Sequence, residues 1–269
     1  MPSAPCAERA LLVVVAHRTP VEHVIRLQQC LQDLPTGVVY GVVINDHCPG
    51  EPAEALLSGA AITLVQQQNP GYGRGFNQLW QAWLASHAEP PPLVAVLNTD
   101  LSWSMGAMER LVAWMEAHPD VTAAAPTLRF PNGRMQYLCK RNPTLLALFS
   151  RRVIPKWCKP SLLKRYDSWF TMRDHDYGRV FTTSYLSGCC LLMRGWAVDL
   201  EQGFDPRFFL YFEDADITRR LGRHGRTVHL PVAEVMHHWG RGSYTSFWLT
   251  IVNLHSAWLY FRKWGLRWW

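Results

Sequence analysis

The chain has 269 residues, 48% of them hydrophobic and 18% charged, with a formal net charge of +6. This composition is typical of a folded domain and excludes a disordered or repetitive chain. The cysteines show no C-x-x-C spacing, which disfavours a disulfide framework or a structural zinc site and favours reduced thiols in a cytoplasm. We expect no membrane-spanning segment, no signal peptide and no nucleic-acid partner, because the corresponding patterns do not occur.

Apolar strand-like runs alternate with helical patterns through the first half of the chain. Thr19 as N-cap and Pro20 at the first position predict the start of the first helix. A second helix is predicted over about 75–85, and apolar residues from Met105 to Met115 mark a third. Such alternation predicts an α/β fold with a parallel sheet that helices cover on both faces. The predicted strands of this half are 10–16, 39–45, 61–65 and 93–98.

The second half adds strand-like segments at 185–195 and 227–238. Between the halves, residues 140–183 are irregular and rich in Pro, Trp, Lys and Arg. We interpret them as a long loop or helical excursion over the site and not as a separate domain.

The last part of the chain is unusual in its tryptophans and cations. Apolar residues recur at helical spacing at Phe247, Ile251, Leu254, Trp258 and Phe261, which predicts a helix that docks on the domain over 247–259. From Tyr260 onward, the mixture of Trp with Arg262, Lys263 and Arg267 is typical of a membrane–water interface.

Glu213 and Asp214 follow the aromatic run FFLYF, start a predicted helix, and precede a strand that ends near His237. Acidic residues in a first helical turn often do no more than favour the helix dipole. A carboxylate can also remove a proton, and an imidazole can bind a divalent metal. Both interpretations remain open on this segment alone.

Further candidate residues lie at other element ends. Asn98-Thr99-Asp100 follows the most apolar strand and could meet a metal-bound diphosphate, although such triplets often only begin a turn. The glycine-rich segment Asn69–Asn77 precedes a helix, so its backbone could approach a ligand, or it could be a plain turn. Its spacing is not that of the dinucleotide fingerprint. Ser187-Gly188 could let an acceptor approach closely or could serve packing.

The order of these pieces resembles the bacterial family 2 glycosyltransferases. The motifs are N-x-G-[FY]-x-x-G-x-N, L-N-x-D, P-x-L-x-x-x-x-G-x-x-Q, S-G-x-x-x-L-x-R, G-F-D-x-x-F-F-x-Y-x-E-D-x-D-x-x-x-R and V-x-H, and they extend over about 11–245. Within the family, the chain is most similar to O-antigen and cell-wall rhamnosyltransferases. The resemblance implies a GT-A fold with a single Rossmann-like, mostly parallel sheet, a nucleotide-sugar donor, a divalent metal and inversion at the anomeric carbon. It divides the chain into a glycosyltransferase domain at 1–245 and a C-terminal helix with a basic tail at 246–269.

The resemblance also assigns residues. Asp214 matches the family's catalytic base, Asp100 matches the metal-binding end of its D-x-D-like motif, and His237 resembles a histidine that completes the metal site in some relatives. Asn98 stands where many relatives have Asp, which makes the histidine more necessary. Carboxylate and imidazole ligands suit Mn²⁺ somewhat better than Mg²⁺. Ser187, Gly188 and Glu213 are the candidate acceptor contacts. The candidate nucleotide-sugar contacts are His17, Arg18, Asn45, Asp46, Gly71, Tyr72, Gly73, Asn77, Asn98 and Thr99.

The implied function is transfer of a sugar, with L-rhamnose from dTDP-L-rhamnose as the first choice, onto a glycan or polyprenyl-diphosphate-linked saccharide. The implied location is the cytoplasmic face of the inner membrane, with peripheral contact through the tail. Two alternatives stay open, namely a family 2 enzyme with a UDP-hexose or UDP-galactofuranose donor and a nucleotide-sugar-binding protein without catalysis. A sugar-phosphate nucleotidyltransferase is disfavoured, because AHRTPVEH after the first strand lacks the glycine-rich loop that such enzymes need.

Overall fold

The computed structural model describes residues 8–155, 157–238 and 247–269. The proposed boundary between residues 245 and 246 lies outside the described residues. Nine strands and eight α-helices occur in the described part of the chain. The strands are β1 (Ala10–Ala16), β2 (Val38–Ile44), β3 (Ile62–Val65), β4 (Leu93–Asn98), β5 (Leu101–Trp103), β6 (Val121–Arg129), β7 (Phe181–Thr182), β8 (Cys190–Arg194) and β9 (Arg226–His237). The helices are α1 (Val21–Gln32), α2 (Tyr72–Ser86), α3 (Ala107–Ala117), α4 (Leu145–Arg152), α5 (Ser161–Phe170), α6 (Gly195–Leu200), α7 (Glu213–Leu221) and α8 (Phe247–Trp264).

The strands form one mixed, mostly parallel sheet in the order β3-β2-β1-β4-β8-β6-β9-β5, with β7 paired to β9. Strands β1, β2, β3, β4, β6 and β9 run in one direction, while β5, β7 and β8 run against them. The carboxyl ends of the six co-directional strands therefore lie at one edge of the sheet, which is where ligands bind in open α/β folds. The predicted α/β fold is confirmed.

Alternation along the strands gives each face of the sheet its own core. In β1, Leu12 and Val14 pack into one buried cluster, whereas Leu11 and Val13 pack into another. Side chains of α1 and α3 complete the first cluster, and side chains of α2, α6 and α7 complete the second. This two-sided burial explains why β1 and β4 are apolar runs without polar alternation.

Two predicted details of the helices are wrong. Helix α1 begins at Val21, and no side chain caps it. Thr19 is instead buried, and its hydroxyl donates a 3.1 Å hydrogen bond to Thr99 Oγ1. Met105 is 80% exposed and precedes α3, which begins at Ala107.

The excursion at 140–183 contains two helices, α4 and α5, and the short strand β7. Its first residue, Lys140, pairs with Tyr185 in an isolated antiparallel β-bridge. The tail of the chain is tied to α4: the Leu145 and Leu146 amides donate to the carbonyls of Arg267 and Trp268 at 2.8 and 3.0 Å. The tail thus satisfies amides of the first helical turn that have no partner within the helix.

Helix α8 docks on the domain, but not through the predicted stripe. Phe247, Leu254 and Trp258 are 81%, 57% and 53% exposed, while Tyr260 and Phe261 are buried. The buried side of α8 packs on Phe208, Phe212 and Ala215 at the start of α7. Within the described ranges, no helix is long and apolar enough to cross a membrane.

Candidate active site

Asp214 lies in the first turn of α7. The two residues directly before this helix, Tyr211 (φ 70°) and Phe212 (φ 64°), have a left-handed backbone conformation. The Asp214 Oδ2 accepts a 3.1 Å hydrogen bond from the Gly188 amide, and its Oδ1 accepts one of 2.9 Å from the Ala215 amide. A Cβ on Gly188 would lie 3.1 Å from the Asp214 Cβ, so only glycine fits comfortably against it. The structure therefore brings two predicted site residues together and fixes the carboxylate by backbone donors.

The groups beside Asp214 differ from it in burial. Glu213 is 5% exposed, and within the described residues its Oε2 has no hydrogen-bond partner. Burial, followed by the negative charge of Asp214, raises the pKa of Glu213 well above its usual range. Burial and the charges of the two carboxyls likewise raise the pKa of Tyr185 well above its usual range. Asp214 is thus the partly exposed acid of this group, and its neighbours hold their protons.

Asp100 and His237 meet because β5 pairs with β9, with Leu101 opposite His237. The His237 Nε2 lies 3.3 Å from the Asp100 Oδ2. The other ring nitrogen, Nδ1, lies 2.9 Å from the Gln136 Oε1. The Gln136 amide nitrogen donates to the carbonyls of His237 and Arg129 at 2.8 and 3.3 Å, which fixes the orientation of the amide. Because Gln136 Oε1 can only accept, the His237 Nδ1 must carry a proton.

This arrangement fits a divalent metal. With its Nδ1 hydrogen-bonded to Gln136, His237 turns Nε2 toward the Asp100 carboxylate, 3.3 Å from Oδ2, so that one nitrogen and one carboxylate oxygen could bind the same cation. The Asp100 Oδ1 is also buried and, in the part of the chain that the structure describes, has no hydrogen-bond partner. Gln136 supplies the outer hydrogen bond that metal-binding imidazoles usually have. No group of three or more His, Cys, Asp or Glu side chains suited to a metal occurs among the described residues, so Asp100 and His237 would share the ion with other ligands.

The charge of Asp100 is also favoured. Burial works against its ionised form, but the hydrogen bond and positive charge of His237 outweigh it and lower the pKa of Asp100. An ionised carboxylate at this position is the state that binds a metal.

A cavity of about 300 Å³ joins the two groups. Its lining includes Asn98 and His237 from the sheet edge, Ser187 from the segment before β8, and Glu213 and Asp214 from α7. The excursion and α8 contribute further lining residues, namely Lys140, Pro143, Ala147, Leu148, Arg151, Arg152, Phe170 and Asn253. The cavity has the size of a small-ligand site.

Residues after β1 and β2 form a second polar group at the same sheet edge. Arg18 donates to the Asp46 Oδ2 at 2.6 Å, and the His17 Nε2 lies 3.6 Å from that oxygen. Asn45 is 1% exposed, and its amide contacts Gln66 and Gly71. Of the Asn45–Asp46 pair, Asp46 is the member open to a ligand.

The glycine-rich segment packs closely against other parts of the protein. A Cβ on Gly71, whose φ is +100°, would lie 2.3 Å from the Phe209 carbonyl oxygen. A Cβ on Gly73 would lie 2.8 Å from Phe204. Asn77 exchanges hydrogen bonds of 2.7 and 2.8 Å with the Phe204 backbone. This segment therefore positions the loop before α7, and Tyr72, whose hydroxyl donates to the Gly188 carbonyl at 2.8 Å, is its member in the cavity wall.

Comparison with known proteins gives the family. The profile described as "Glycosyltransferase like family 2" matches residues 11–260. The chain belongs to this family. This chain is 28% identical to the N-acetylglucosaminyl-diphospho-decaprenol L-rhamnosyltransferase of Mycobacterium tuberculosis, over 92% of this chain and 86% of the relative. The same values hold for that protein from a second strain of this organism.

Solved structures agree with the GT-A fold of family 2. The mannosyltransferase PcManGT from Pyrobaculum calidifontis, in complex with GDP-Man and Mn²⁺, gives a TM-score of 0.59 at 13% identity over 90% of this chain. Residues 1–349 of S. aureus TarS give 0.55 at 14% identity over 85% of this chain. The chain spans 61% and 60% of the lengths of these two structures.

Several residues of the site were missed by sequence reasoning. Gln136 closes the motif P-x-L-x-x-x-x-G-x-x-Q, so its position was visible but its partner was not. Tyr185 lies two residues before the Ser187-Gly188 motif, and no sequence pattern distinguished it. Lys140, Arg151 and Arg152 belong to the basic excursion, where composition indicated a cover over the site but could not select single residues.

Proposed function

We propose that this family 2 protein is an inverting, metal-dependent glycosyltransferase with Asp214 as its base. The observation that carries the proposal is that Asp214 and His237 line one cavity, while the His237 Nε2 lies 3.3 Å from the Asp100 Oδ2. A base and a metal-binding pair at one cavity are the arrangement that nucleotide-sugar transfer needs.

Asp100 and His237 would hold Mn²⁺ or Mg²⁺ beside the donor diphosphate. When bound, such an ion neutralises the charge that develops on the leaving nucleoside diphosphate. The hydrogen bond between Gln136 and the His237 Nδ1 keeps Nε2 directed toward Asp100.

Asp214 would accept the proton of the attacking hydroxyl. The acceptor oxygen forms a bond to the anomeric carbon from the face opposite the diphosphate, and the bond from that carbon to the phosphate oxygen breaks. The backbone amides of Gly188 and Ala215 keep the carboxylate in place for this step. Glu213 would not compete as a base, because its raised pKa keeps it protonated, but it can donate a hydrogen bond to the acceptor.

The donor that we propose is dTDP-L-rhamnose, and the acceptor is a saccharide linked to a polyprenyl diphosphate. The support is the similarity to the mycobacterial L-rhamnosyltransferase over 92% of this chain. His17, Arg18 and Asp46 are the proposed nucleoside contacts, since they cluster at the sheet edge and Asp46 is open to a ligand.

The test is transfer to a synthetic N-acetylglucosaminyl-diphospho-lipid from dTDP-L-rhamnose, UDP-galactose, UDP-galactofuranose and GDP-mannose, each with Mn²⁺ and followed by mass spectrometry. We expect product from the rhamnosyl donor. Asp214→Asn should reduce turnover by roughly 10²–10⁴-fold, as expected for a lost general base, while calorimetry still detects nucleotide binding. Near-full turnover of Asp214→Asn would show that this residue only starts a helix, and product from another donor alone would replace rhamnose.

We further propose that α8 contacts the cytoplasmic face of the membrane from which such an acceptor would come. Its outer stripe consists of Phe247, Trp248, Ile251, Leu254 and Trp258, which are between 43% and 81% exposed. The guanidinium of Arg262 lies 5.3 Å from the Trp258 ring centroid, so a cation flanks the stripe. The proposed contact includes this stripe as well as the tail, since Tyr260 and Phe261 are buried whereas Leu266, Trp268 and Trp269 are 55%, 64% and 81% exposed. Interfacial aromatic residues with flanking cations bind anionic bilayers reversibly.

Co-sedimentation with vesicles that contain anionic lipid tests this contact. The triple variant Trp248→Ser, Leu254→Ser, Trp258→Ser should lose binding. Ile25→Ser on α1 is the matched control, because Ile25 is 50% exposed but lies on another element. Equal sedimentation of both variants would refute membrane contact through α8.

A further inference from the structure

The cavity has a cationic end that the transfer step does not use. Lys140, Arg151 and Arg152, all from the excursion, line the cavity together with Asp214. Within the described residues, neither Lys140 nor Arg151 forms a salt bridge with a carboxylate. Aromatic rings lie beside them instead: the Lys140 Nζ is 4.2 Å from the Tyr185 ring centroid, and the Arg151 guanidinium is 5.7 Å from that of Phe170. Their charges are therefore available to an anion in the cavity.

Burial of these positive charges away from water costs free energy unless an anion lies near them. Burial, partly offset by the charge of Asp214, lowers the pKa of Lys140. The cavity also carries Glu213, whose raised pKa keeps it neutral and unable to compensate the cations. A ligand with two phosphate groups would supply the missing negative charge, and Arg is well suited to bind phosphate oxygens in pairs.

The surroundings of the cationic end indicate what such a ligand carries. Helix α4 holds Arg151 and Arg152 and presents Phe149 at 53% exposure, and Val153, which follows the helix, is 61% exposed. Arg152 connects α4 to α8 through a 2.6 Å hydrogen bond to Thr250 Oγ1. The outer stripe of α8 therefore begins next to the cationic end. A ligand that leaves the cavity on this side would therefore pass from cations suited to phosphate to exposed apolar side chains.

We propose that Lys140 and Arg151, assisted by Arg152, bind the diphosphate of the lipid-linked acceptor, and that its hydrocarbon chain leaves the cavity between α4 and α8. This inference rests on the proposed function. It places the acceptor saccharide against Asp214 and its diphosphate against the excursion, so the excursion selects acceptors that carry a diphosphate. The donor diphosphate belongs to the other end of the cavity, beside Asp100 and His237.

The experiment compares two acceptors with the same sugar, one linked to farnesyl diphosphate and one an octyl glycoside without phosphate. Loss of one or two charge-assisted hydrogen bonds should raise KM for the diphosphate acceptor by roughly 10- to 100-fold. For Arg151→Gln and for Lys140→Gln, we expect this loss to exceed the loss on the glycoside at least several-fold. Arg165→Gln is the control, since Arg165 is an exposed cation of α5 outside the cavity lining.

A second measurement separates this inference from the proposed function. Calorimetry would follow the binding of farnesyl diphosphate to wild type and variants with the donor site saturated by dTDP and Mn²⁺. Weaker binding by Arg151→Gln but not Arg165→Gln supports the subsite even if no transfer is found. Equal losses on the two acceptors, a selective loss of dTDP affinity, or wild-type binding of farnesyl diphosphate by Arg151→Gln would overturn it. Absence of transfer by wild type to either acceptor would instead count against the proposed function.

Discussion

Asp216 offers the sharpest test of how the site is held together. It is fully buried in α7, two residues after Asp214. Its carboxylate accepts hydrogen bonds of 2.8 Å from the Arg220 Nε and 2.8 Å from the Trp264 Nε1, and it lies 2.8 Å from the Lys263 Nζ. One carboxylate thus joins the helix that carries the proposed base to the C-terminal helix.

We expect Asp216→Asn to destabilise the protein by about 3 kcal/mol. Removal of one partner from a buried ion pair typically costs about 3–5 kcal/mol, because the remaining charge stays buried without compensation. The lower end applies here, since Arg220 keeps a 3.2 Å contact with Glu201 and Lys263 keeps one of 2.8 Å with Asp205. At about 2–4 °C per kcal/mol for a chain of this size, Tm should fall by roughly 6–12 °C.

Thermal unfolding followed by circular dichroism measures this shift. Asp120→Asn is the control, because Asp120 pairs with Arg226 on the surface, where the side chains are 56% and 48% exposed, and such pairs contribute little. A Tm change for Asp216→Asn no larger than that of the control would refute the reasoning. It would mean that α7 and α8 do not depend on the buried carboxylate.

Three further substitutions test the neighbourhood of the site. The raised pKa of Glu213 means that the folded protein holds this proton more tightly than the unfolded chain, so its contribution to stability is lost as pH rises. Glu213→Gln should therefore gain stability relative to wild type in urea unfolding as pH rises above the ordinary glutamate pKa of about 4.3, and parallel curves would contradict the protonated state. Gly71→Ala should lower Tm more than Gly50→Ala, because both have positive φ but only the first Cβ would meet the Phe209 carbonyl, at 2.3 Å; equal shifts would mean that the loop gives way. Gln136→Leu should weaken Mn²⁺ binding in the presence of dTDP by roughly 10–100-fold in calorimetry, and unchanged affinity would separate the imidazole orientation from metal binding.

Much of the architecture could be predicted from local pattern. Strands β1 and β4 have the predicted bounds of 10–16 and 93–98, because a strand buried on both faces is a continuous apolar run with polar residues at its end. The residues that follow such strands had to lie at one edge of the sheet. For this reason, the sequence alone predicted that Asp100 lies near His237. The family followed from motif order over most of the chain.

Strand β6 was not predicted, although it lies inside the sheet between β8 and β9. Its sequence VTAAAPTLR is short of large apolar residues, and a proline interrupts it. The register with β9 shifts between Pro126 and Thr127, so the strand tolerates the proline through an irregularity. Small residues and a proline weaken the local signal, and only pairing on both sides makes this segment a strand.

The face that α8 buries was also decided by tertiary structure. Periodicity located the helix but favoured the more apolar stripe as the docked face, whereas the domain binds the side that carries Val252, Ser256 and Tyr260. The selecting contacts come from α7 and the loop before it: the Ser256 hydroxyl donates to the Leu210 carbonyl of the loop, and the Trp264 Nε1 donates to the buried Asp216 of α7. Local sequence thus determined which residues could form strands, helices and a reactive edge, because those preferences depend on neighbours in the chain. Which helix face is buried, which histidine nitrogen carries a proton and which cations meet in the cavity depended on residues far apart in sequence, because burial and hydrogen bonding are set by whatever the fold brings alongside.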